Sequence, residues 1–419
     1  VHDKPRDVLG AASAMIYGEP SRHLSVLGVT GTSGKTTTSY LVRAGLAAAG
    51  RTTGLIGTVE TRVAGKRLAS AFTTPEAPDL QALLALMVEH GVTDVAMEVS
   101  SHALALGRVA GTRFAVGAFT NLSQDHLDFH LDMEGYFAAK AMLFDGRANT
   151  EVVNVDGEWG GRLVGEHTVT VSTVPHVRAT WTASDLRVDP SGAQSFTANG
   201  PMGARVALDI RLPGAFNVAN ALLATAMLHS AGVPLTAIAK GMSAVDVPGR
   251  MERVVLGQEF TAVVDYSHKP AAVAQMLDSM RGQLHQAHNH GRVIIVLGCG
   301  GERDAGKRPL MGEAAARGAG VLVITDDNPR GEDPATIRAA MLDGALGVPA
   351  AERGEVREIG DRGEAIAEAV RLARAEDIVV VAGKGHETGQ SIAGVVHPFS
   401  DVDELAAAIR ARLGEVAAW

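Results

Sequence analysis

The sequence predicts an α/β fold in two successive parts. The first is a central part with a mostly parallel sheet plus a small antiparallel sheet, and the second is a Rossmann-like α/β part. Short β-branched apolar runs alternate with helical patterns from Leu24 onward, which is typical of parallel sheets covered by helices. Residues 177–212 interrupt this pattern with alternating apolar and polar residues, and the α/β alternation resumes near Arg250.

The central part begins with five predicted strands and three predicted helices. Gly50 and Gly91 follow two of the helical patterns, where a C-cap glycine is expected. The predicted strands are Val26–Thr30, Gly54–Val59, Thr93–Val99, Phe114–Thr120 and Glu151–Val155. The predicted helices are Thr36–Ala49, Asp79–His90 and Met133–Phe144.

The remaining elements follow the interruption. Turn signals at Gly192 and at Asn199-Gly200 predict antiparallel hairpins, and the helix Asn217–Ala231 closes the central part. The predicted strands of the second part are Phe260–Asp265, Val293–Leu297, Val321–Thr325, Val356–Ile359 and Ile378–Val381. The resulting division is a lead-in segment over residues 1–23, a central domain over residues 24–247 and a C-terminal domain over residues 248–419.

Composition narrows the class of protein. Apolar residues make up 46% of the 419 residues, which is enough for two or three globular domains. The formal net charge of −9, without a basic block, argues against nucleic acid or an anionic membrane as the main partner. Cys299 is the one cysteine, which is typical of a reducing compartment. No apolar run approaches the roughly 18 residues that span a bilayer. We therefore expect a cytoplasmic protein.

The stretch from Val26 to Thr38 is the most informative in the chain, because an apolar strand runs into a glycine turn and then into a helical pattern. Glycines allow backbone N–H groups to converge on phosphates, and the helix dipole favours negative charge. Lys35 supplies a cation and Thr36 a hydroxyl ligand for Mg²⁺. The usual spacing has a glycine where this chain has Val29. An ordinary glycine turn is the alternative, but the flanking strand and helix favour a nucleotide-binding phosphate loop.

Carboxylates and histidines follow two further strands of the central part. Glu98 ends an apolar strand, where it is either a structural ion-pair partner or a metal ligand, and a neighbouring phosphate site favours Mg²⁺. The segment Asp125–His130 holds two acids and two histidines. A zinc cluster and an ordinary surface loop both remain open there, although the spacing matches no standard zinc site. Lys140 lies on an amphipathic helical pattern, where a solvated lysine is the ordinary expectation.

A glycine-rich turn in the second part imitates a dinucleotide site. Gly298–Gly301 follows a strand, and the next strand ends in acids at about the spacing of a ribose-binding carboxylate. The charged residues 302–308 crowd this turn where a pyrophosphate fingerprint has small residues. NAD is therefore not expected as a cofactor.

Two other loops of the second part also follow predicted strands. The segment Asp326–Arg330 turns at Pro329, and the Arg330 guanidinium can bind a carboxylate through two hydrogen bonds. The segment Gly383–Glu387 is either a turn with charged residues on its surface or a second loop that faces a ligand.

Taken together in one order, these motifs resemble the Mur ligases of peptidoglycan synthesis. The resemblance runs from about residue 5 to the end of the chain. The motifs that carry it are TGTSGKTTT, TTP, MEVSSHALALGR, TNLSQDHLDFH, YFAAK, LPGAFNVANALLA, VPGRME, VDYSHKP, GERDAGKR, DDNPR and GKGHETGQ. The resemblance implies a P-loop ATPase domain followed by an amino-acid-binding domain. It also implies a ligase that uses ATP and Mg²⁺ to join an amine to a carboxylate through an acyl phosphate.

The resemblance also implies roles for the matching residues of the central domain. Glu98 would bind metal, His126 would serve a second Mg²⁺, and Lys140 would be carbamylated so that its added carboxylate helps to bind that metal. The residues implied to contact ATP are Thr30, Gly31, Thr32, Ser33, Gly34, Lys35, Thr36, Asn220, Arg250 and His268. The residues implied to contact the sugar-peptide substrate are Thr73, Thr74, Ser100 and Arg108.

Amino-acid choice would fall to the C-terminal domain. The residues implied to surround meso-diaminopimelate are Arg303, Asp327, Asn328, Pro329, Arg330, Gly383 and Glu387. Arg330 and Arg303 suit the distal carboxylate of this amino acid, and Glu387 suits its distal ammonium. Lysine lacks that carboxylate and would leave a buried arginine unsatisfied, and sites of this kind discriminate by roughly 10⁴ or more. The DNPR sequence therefore favours diaminopimelate over the lysine-adding branch of the family.

Two readings from other classes remain open. A folylpolyglutamate synthetase or a related ligase of the same superfamily is one, and DNPR and GHE argue against it. A non-catalytic nucleotide-binding fragment is the other, because family members carry a first domain that binds the uridine nucleotide. Here the phosphate loop begins at Thr30 and residues 1–23 resemble the segment that joins that domain, so we expect it to be absent. The expected partners are small molecules, and the expected oligomeric state is a monomer.

Overall fold

The computed structural model describes residues 5–68, 72–189, 192–286 and 290–417. Contacts divide the chain into two compact units. The first unit draws on residues up to 245, and the second contains residues 246–419 together with the short segments 188–192 and 212–214. None of the described helices combines the length and apolar character that a membrane crossing requires.

The first unit is built on one twisted sheet, which has eleven strands among the described residues. Its strands are β1 (Ser25–Thr30), β2 (Thr53–Ile56), β3 (Thr61–Val63), β4 (Lys66–Leu68), β5 (Asp94–Glu98), β6 (Phe114–Phe119), β7 (Ala148–Asn154), β8 (Val169–Ser172), β9 (Trp181–Val188), β10 (Gln194–Asn199) and β11 (Arg205–Ile210). Their order across the sheet is β11-β10-β9-β8-β7-β6-β1-β5-β2-β3-β4.

The centre of this sheet is parallel, as predicted. Strand β1 lies between β5 and β6 and is parallel to both, with Val29 opposite Glu98 on one side and opposite Ala118 on the other. The carboxyl ends of parallel neighbours meet at the same edge, so the loops after these three strands lie side by side. The chain reaches β2 and β6 on opposite sides of β1, and such a change of direction is where ligands bind in open α/β sheets.

Helices cover the parallel strands. They are α1 (Pro5–Ile16), α2 (Lys35–Ala48), α3 (Ala77–Glu89), α4 (Ser101–Ala105), α5 (Leu127–His130), α6 (Met133–Ala141), α7 (Ala215–Ser230) and α8 (Leu235–Met242). One apolar core lies between the sheet and these helices and includes the buried side chains of Val26, Leu84, Val95 and Phe114. The predicted helix over 133–144 is regular to residue 141 and continues as a 3₁₀ turn over Met142–Phe144.

The edges of the sheet differ in detail from the prediction. The strand predicted to reach Val59 ends at Ile56, and the short strands β3 and β4 follow it. They form a hairpin in which Ala64 and Gly65 both have positive φ, the geometry of a type I′ turn. Three-residue strands with polar side chains carry too little periodicity to be predicted.

The predicted antiparallel part continues the same sheet. Strands β10 and β11 pair antiparallel, with Gln194 opposite Ile210 and Asn199 opposite Arg205. The turn before β10 includes residues 190 and 191, which lie outside the described residues. Strand β8 was not predicted. It connects the parallel and antiparallel regions of this sheet, because it pairs in parallel with both β7 and β9.

The second unit has a six-stranded sheet among the described residues. Its strands are β12 (Glu252–Arg253), β13 (Thr261–Asp265), β14 (Val293–Leu297), β15 (Val321–Ile324), β16 (Glu355–Glu358) and β17 (Ile378–Ala382), in the order β12-β13-β17-β14-β15-β16. The helices are α9 (Pro270–Gln286), α10 (Lys307–Gly318), α11 (Pro334–Gly347), α12 (Arg362–Leu372) and α13 (Asp401–Ala417). A separate hairpin consists of β18 (Gly389–Ile392) and β19 (Val395–Pro398). The predicted α/β class, with a mostly parallel sheet and a smaller antiparallel part, is confirmed.

Candidate active site

The phosphate loop, residues 30–36, follows the central strand β1 and leads into α2. Gly31 and Gly34 have φ values of 143° and 87°, which other residues rarely adopt. A Cβ at Gly31 would lie 1.8 Å from Thr120 Oγ1, and one at Gly34 would lie 2.3 Å from Asn220 Oδ1. Val29, which occupies the position where this motif usually has a glycine, is fully buried within β1. The glycine of this chain is found two residues later, at Gly31. The loop has the tight glycine geometry that a phosphate cradle requires.

Two ammonium groups meet at the start of the phosphate loop. Lys35 Nζ donates to the Gly31 carbonyl at 2.9 Å and to the Thr32 carbonyl at 3.2 Å. Lys140 Nζ donates to the same Gly31 carbonyl at 2.8 Å and lies 4.4 Å from the centre of the Tyr136 ring. Lys140 is 1% exposed, so the expectation of a solvated lysine on a helix surface is wrong. Lys140 is buried because α6 packs against the phosphate loop. The sequence pattern of α6 alone does not reveal this contact.

Glu98 lies at the carboxyl end of β5, beside the helix that begins with Lys35. Its Oε2 atom accepts hydrogen bonds from Thr36 Oγ1 at 3.1 Å and Thr58 Oγ1 at 3.0 Å, and its Oε1 atom accepts one from Thr58 N at 2.9 Å. Glu98 is buried, and within the described residues it has no lysine or arginine as an ion-pair partner. A buried carboxylate among hydroxyl groups offers the oxygen ligands that Mg²⁺ prefers.

The histidine cluster consists of His102, His126 and His130 with Tyr136. His126 has a left-handed backbone, and its Nε2 atom lies 3.1 Å from Asp125 Oδ2. The His102 ring centre lies 4.8 Å from that of His126 and 5.4 Å from that of His130.

Burial of His130, together with its neighbours His102 and Lys140, lowers its pKa to about 4, and its Nε2 atom lies 2.9 Å from Ser101 Oγ. No group of three His, Cys, Asp or Glu residues among those described is arranged to hold a metal ion. The adjacent oxygen donors at this edge of the sheet are the Glu98 carboxylate and the Thr36 hydroxyl.

The residues matched to the sugar-peptide substrate lie together behind Glu98. Thr74 Oγ1 donates to the Glu98 carbonyl at 2.9 Å and accepts from Ser100 N at 3.1 Å. Arg108 Nη1 donates to the Thr74 carbonyl at 3.3 Å. Thr73 Oγ1 lies 3.0 Å from Thr58 Oγ1, which links this group to the Glu98 carboxylate. The structure therefore connects all four predicted residues with the predicted metal ligand.

Asn121 is a residue of this site that the sequence analysis did not assign. Its Oδ1 atom accepts a hydrogen bond from Ser33 N at 3.0 Å, and its carbonyl accepts one from Thr32 N at 2.9 Å. The loop after β6 therefore accepts hydrogen bonds from two backbone N–H groups of the phosphate loop. Its position directly after a strand, in the same motif as His126, was the available signal. Asn220, next to Gly34, is held by its own hydrogen bond to Asn217 Oδ1 at 3.1 Å.

In the second unit, three loops meet at the carboxyl ends of the adjacent strands β17, β14 and β15. Arg330 connects two of them, because its Nη1 atom donates to the Gly301 carbonyl at 2.6 Å. Its backbone has a φ of 55° and is bonded on both sides to the β18–β19 hairpin, through Ser391 O at 2.9 Å and Ala393 N at 2.6 Å. No hydrogen bond among the described residues uses Arg330 Nε or Nη2, so part of the guanidinium remains available.

Asn328 connects the second and third loops. Its Nδ2 atom donates to Glu387 Oε2 at 2.9 Å, and its Oδ1 atom accepts from Lys384 Nζ at 3.0 Å and from Ser391 N at 2.9 Å. Lys384 Nζ also donates to Glu387 Oε2, at 2.9 Å. Lys384 was not assigned a role from the sequence, which left open whether its loop is a turn with charged residues on its surface or faces a ligand.

Other residues matched to the amino acid surround this connection. The Asp327 carbonyl accepts from Gln390 Nε2 at 2.9 Å, and a Cβ at Gly383 would lie 2.6 Å from Asp327 Oδ2. Pro329 packs against Gly301, where a Cβ would lie 2.0 Å from the proline carbonyl. Arg303 is exposed on the loop after β14. That glycine-rich turn packs on the DNPR loop, since Gly301 N donates to the Asn328 carbonyl at 2.9 Å.

Arg250 and His268, matched to the nucleotide, lie in the second unit around Tyr266. The Arg250 guanidinium lies 4.1 Å from the centre of the Tyr266 ring, and the His268 ring centre lies 4.6 Å from it. His268 Nδ1 is 2.7 Å from the Tyr266 carbonyl, and Lys307 Nζ donates to the His268 carbonyl at 3.0 Å. These contacts orient both side chains within their own unit.

Comparison with known proteins places these motifs in a family. The sequence matches the Mur ligase middle domain over residues 29–228 and the Mur ligase glutamate ligase domain over residues 249–385. The UDP-N-acetylmuramoyl-L-alanyl-D-glutamate–2,6-diaminopimelate ligase of Corynebacterium glutamicum is 55% identical over 421 residues. That alignment covers 99% of this chain and 80% of the relative.

Solved structures agree with this. A structure of UDP-N-acetylmuramoyl-L-alanyl-D-glutamate–2,6-diaminopimelate ligase superposes with a TM-score of 0.67 at 34% identity, over 97% of this chain and 83% of that one. Folylpolyglutamate synthase of Mycobacterium tuberculosis complexed with ADP has a TM-score of 0.71 at 18% identity, over 98% of this chain and 95% of that one. At 18% identity the second likeness shows the fold alone.

Proposed function

The chain belongs to the Mur ligase family and is an ATP-dependent ligase of peptidoglycan synthesis, and on that premise we propose that it adds meso-diaminopimelate to UDP-N-acetylmuramoyl-L-alanyl-D-glutamate. The observation that carries this choice of amino acid is the junction of Arg330, Asn328 and Glu387 at one edge of the second sheet. Its loops carry a guanidinium and a carboxylate at the same edge of the sheet, which suits the distal carboxylate and ammonium of diaminopimelate.

The first step that we propose is activation of the D-glutamate side-chain carboxylate. One of its oxygens attacks the γ-phosphorus of ATP, and the bond to the β-γ bridging oxygen breaks, so that an acyl phosphate and ADP are formed. Phosphoryl transfer depends on positioning and charge neutralisation more than on covalent help. Lys35 supplies a cation within the phosphate loop, and Gly31 and Gly34 allow the close approach of the phosphates.

The donor set at the loop fits magnesium. Glu98 and the Thr36 hydroxyl lie 3.1 Å apart and both are buried, and oxygen ligands of this kind hold Mg²⁺. His126 and a carbamate on Lys140 are the ligands that we assign to a second ion. When bound, Mg²⁺ neutralises charge on the transferred phosphoryl group.

The second step that we propose is formation of the amide bond. The amine of diaminopimelate attacks the acyl carbon, inorganic phosphate leaves with the electron pair of the C–O bond, and the amine loses a proton. Arg330, together with Arg303 from the loop after β14, would bind the distal carboxylate, and Glu387 would bind the distal ammonium. Asp327, Pro329 and Gly383 would shape the surroundings, and Thr73, Thr74, Ser100 and Arg108 would bind the acceptor. We place this reaction in the cytoplasm.

Isotope transfer tests this mechanism. The acceptor is prepared with ¹⁸O in the D-glutamate side-chain carboxylate and incubated with ATP, Mg²⁺ and meso-diaminopimelate. The assay is run on the chain alone and on the chain joined to a uridine-nucleotide-binding domain of a family member. We expect one ¹⁸O atom in the inorganic phosphate for each amide formed, with ADP as the other product. AMP and pyrophosphate as products, or phosphate without label, would contradict the proposal.

A further inference from the structure

Lys384 is a fully buried cation to which the proposed reaction assigns no role. It lies on the loop after β17 and has 0% of its side chain exposed, although glycines flank it on both sides. A buried charge is costly to desolvate, and replacing such a group by an apolar one is often neutral or stabilising. Stability alone is therefore a weak reason for a lysine at this position.

The contacts of Lys384 determine the orientation of two other side chains. Its ammonium donates to Asn328 Oδ1 at 3.0 Å and to Glu387 Oε2 at 2.9 Å. Asn328 Oδ1 also accepts from Ser391 N, so the carbonyl side of this amide faces two donors and its Nδ2 atom must face Glu387. Lys384 thereby closes a triangle in which every pair of side chains is bonded.

The triangle leaves a defined part of Glu387 for a ligand. Both donors of the triangle bond to Oε2, and no hydrogen bond among the described residues uses Oε1. Lys384 also offsets the charge of Glu387, because its ammonium lies 2.9 Å from the Oε2 atom of that carboxylate. The remaining Oε1 atom of Glu387 and the unused guanidinium nitrogens of Arg330 suit a group that carries one ammonium and one carboxylate. Without Lys384 the site would gain one negative charge.

We propose that Lys384 is a positioning residue for amino-acid selection, which acts by fixing Asn328 and Glu387 rather than by touching the substrate. This inference rests on the proposed function, since it assumes that Glu387 binds the distal ammonium. Lys384 holds Glu387 through Oε2, which leaves Oε1 for the distal ammonium, while Arg330 offers the distal carboxylate the guanidinium nitrogens that its bond to Gly301 does not use. An amino acid without the distal carboxylate engages only one of these two groups and gains less from the site.

Steady-state kinetics of Lys384→Met test this proposal. We expect the KM for meso-diaminopimelate to rise about 10- to 100-fold, the usual effect of removing a group that orients a ligand-binding side chain. The KM values for ATP and for the UDP-dipeptide should stay within about twofold, and the preference for diaminopimelate over L-lysine should fall. The KM of Lys384→Gln, whose amide can still donate a hydrogen bond, should lie between those of the wild type and Lys384→Met. This variant replaces Lys384→Met in the test if Lys384→Met does not fold.

A matched control lies at the opposite edge of the same sheet. Arg292 Nη2 bonds to Asp377 Oδ2 at 2.8 Å, and this pair precedes β14 and β17. Arg292→Met should lower the thermal unfolding temperature without changing the KM for diaminopimelate. If Lys384→Met behaved like this control, Lys384 would be structural only and the proposal would be wrong.

A double-mutant cycle separates positioning from any independent role. In a Glu387→Gln background, the additional effect of Lys384→Met on the KM should fall to less than a third of its effect in the wild type. Fully additive effects would overturn the proposal. If the wild type ligated a different amino acid, the proposed substrate would be wrong, and the same cycle with that amino acid would still decide whether Lys384 acts through Glu387. If the wild type ligated diaminopimelate and Lys384→Met left its KM unchanged, only this inference would fail.

Discussion

The phosphate loop and the amino-acid loops of the second unit hold their charged groups in different ways. In the phosphate loop, the ammonium groups of Lys35 and Lys140 bond to backbone carbonyls. In the second unit, the ammonium of Lys384 bonds to the side chains of Asn328 and Glu387. A backbone carbonyl carries no net charge, so a hydrogen bond to it does not neutralise an ammonium group. A cation bonded to a carboxylate is largely neutralised by it, and its main effect is to fix the position of that carboxylate.

This difference leads to different consequences for the two sites. Substitutions in the phosphate loop should change the rate of phosphoryl transfer, since they remove charge from the reacting phosphate. Substitutions in the amino-acid loops should change the affinity and choice of the incoming amine. The predictions below test this separation, from the largest expected effect to the smallest.

Lys35→Ala should lower ATP-dependent ligation by at least roughly 1,000-fold, because it removes a cation from the phosphoryl transfer site. The fold should survive, since the Lys35 side chain bonds to two carbonyls of its own loop, Gly31 and Thr32. Measurement of kcat and of thermal unfolding decides this. Near-normal turnover in a folded variant would make the assignment of the phosphate loop wrong.

Arg330→Ala should raise the KM for meso-diaminopimelate about 30- to 4,000-fold, the equivalent of about 2–5 kcal/mol for breaking one side of a buried charged pair. The KM for ATP should hardly change. Arg330→Lys is the matched control for charge, and it should also be harmful because it loses the planar fork. A variant with unchanged KM and kcat for diaminopimelate would remove the basis for naming this substrate.

Lys140→Ala should lower kcat by roughly 100-fold, because it removes the carbamate that we assign to the second metal site. Acetate or another short carboxylic acid should restore part of the rate by supplying the missing carboxylate. The same acids should not rescue Lys35→Ala, which lacks a cation instead. Rescue of both variants, or of neither, would contradict the carbamate assignment.

The smallest effect concerns acid stability of the first unit. Burial lowers the pKa of His130 to about 4, whereas an unfolded histidine titrates near 6.5. The unfolded state therefore binds a proton between these values and the folded state does not. Stability from this histidine is complete above about pH 6.5 and is lost as the pH falls toward 4, by an amount on the order of 2–3 kcal/mol.

Urea unfolding at pH 7.5 and pH 5 checks this prediction. His130→Gln should reduce the difference in unfolding free energy between the two pH values. The exposed His167 provides the control, since His167→Gln should keep the difference. An unchanged pH dependence in His130→Gln would mean that other groups cause it.

The sequence predicted the central strands of both sheets because each is a short run of buried β-branched residues, such as Val293–Leu297. It also placed Glu98 and the DNPR loop at strand ends, where parallel sheets collect their ligands. It did not predict the burial of Lys140 or Lys384. The polarity of a lysine indicates exposure, and the partners that reverse this lie 109 and 56 residues away in the chain, at Gly31 and Asn328.

The left-handed backbone conformation of Arg330 could not be predicted from the sequence either. Its left-handed φ of 55° is unusual for a residue with a side chain and is held by hydrogen bonds to the β18–β19 hairpin, which the sequence analysis missed. The hairpin strands are only four residues long, and every residue of β19 is exposed, so they have no apolar periodicity. Local strain that depends on a distant, weakly patterned element has no signature in the sequence around Arg330.

Competition between two amino acids tests the central claim most directly. Equal concentrations of ¹⁴C-labelled meso-diaminopimelate and ³H-labelled L-lysine are offered together with ATP, Mg²⁺ and UDP-N-acetylmuramoyl-L-alanyl-D-glutamate, and the label in the UDP-linked product is counted. Omission of ATP gives the background. We expect ¹⁴C to exceed ³H by roughly 10⁴-fold, as a site built on paired polar contacts allows. Equal incorporation, an excess of ³H, or product formed without ATP would contradict the account.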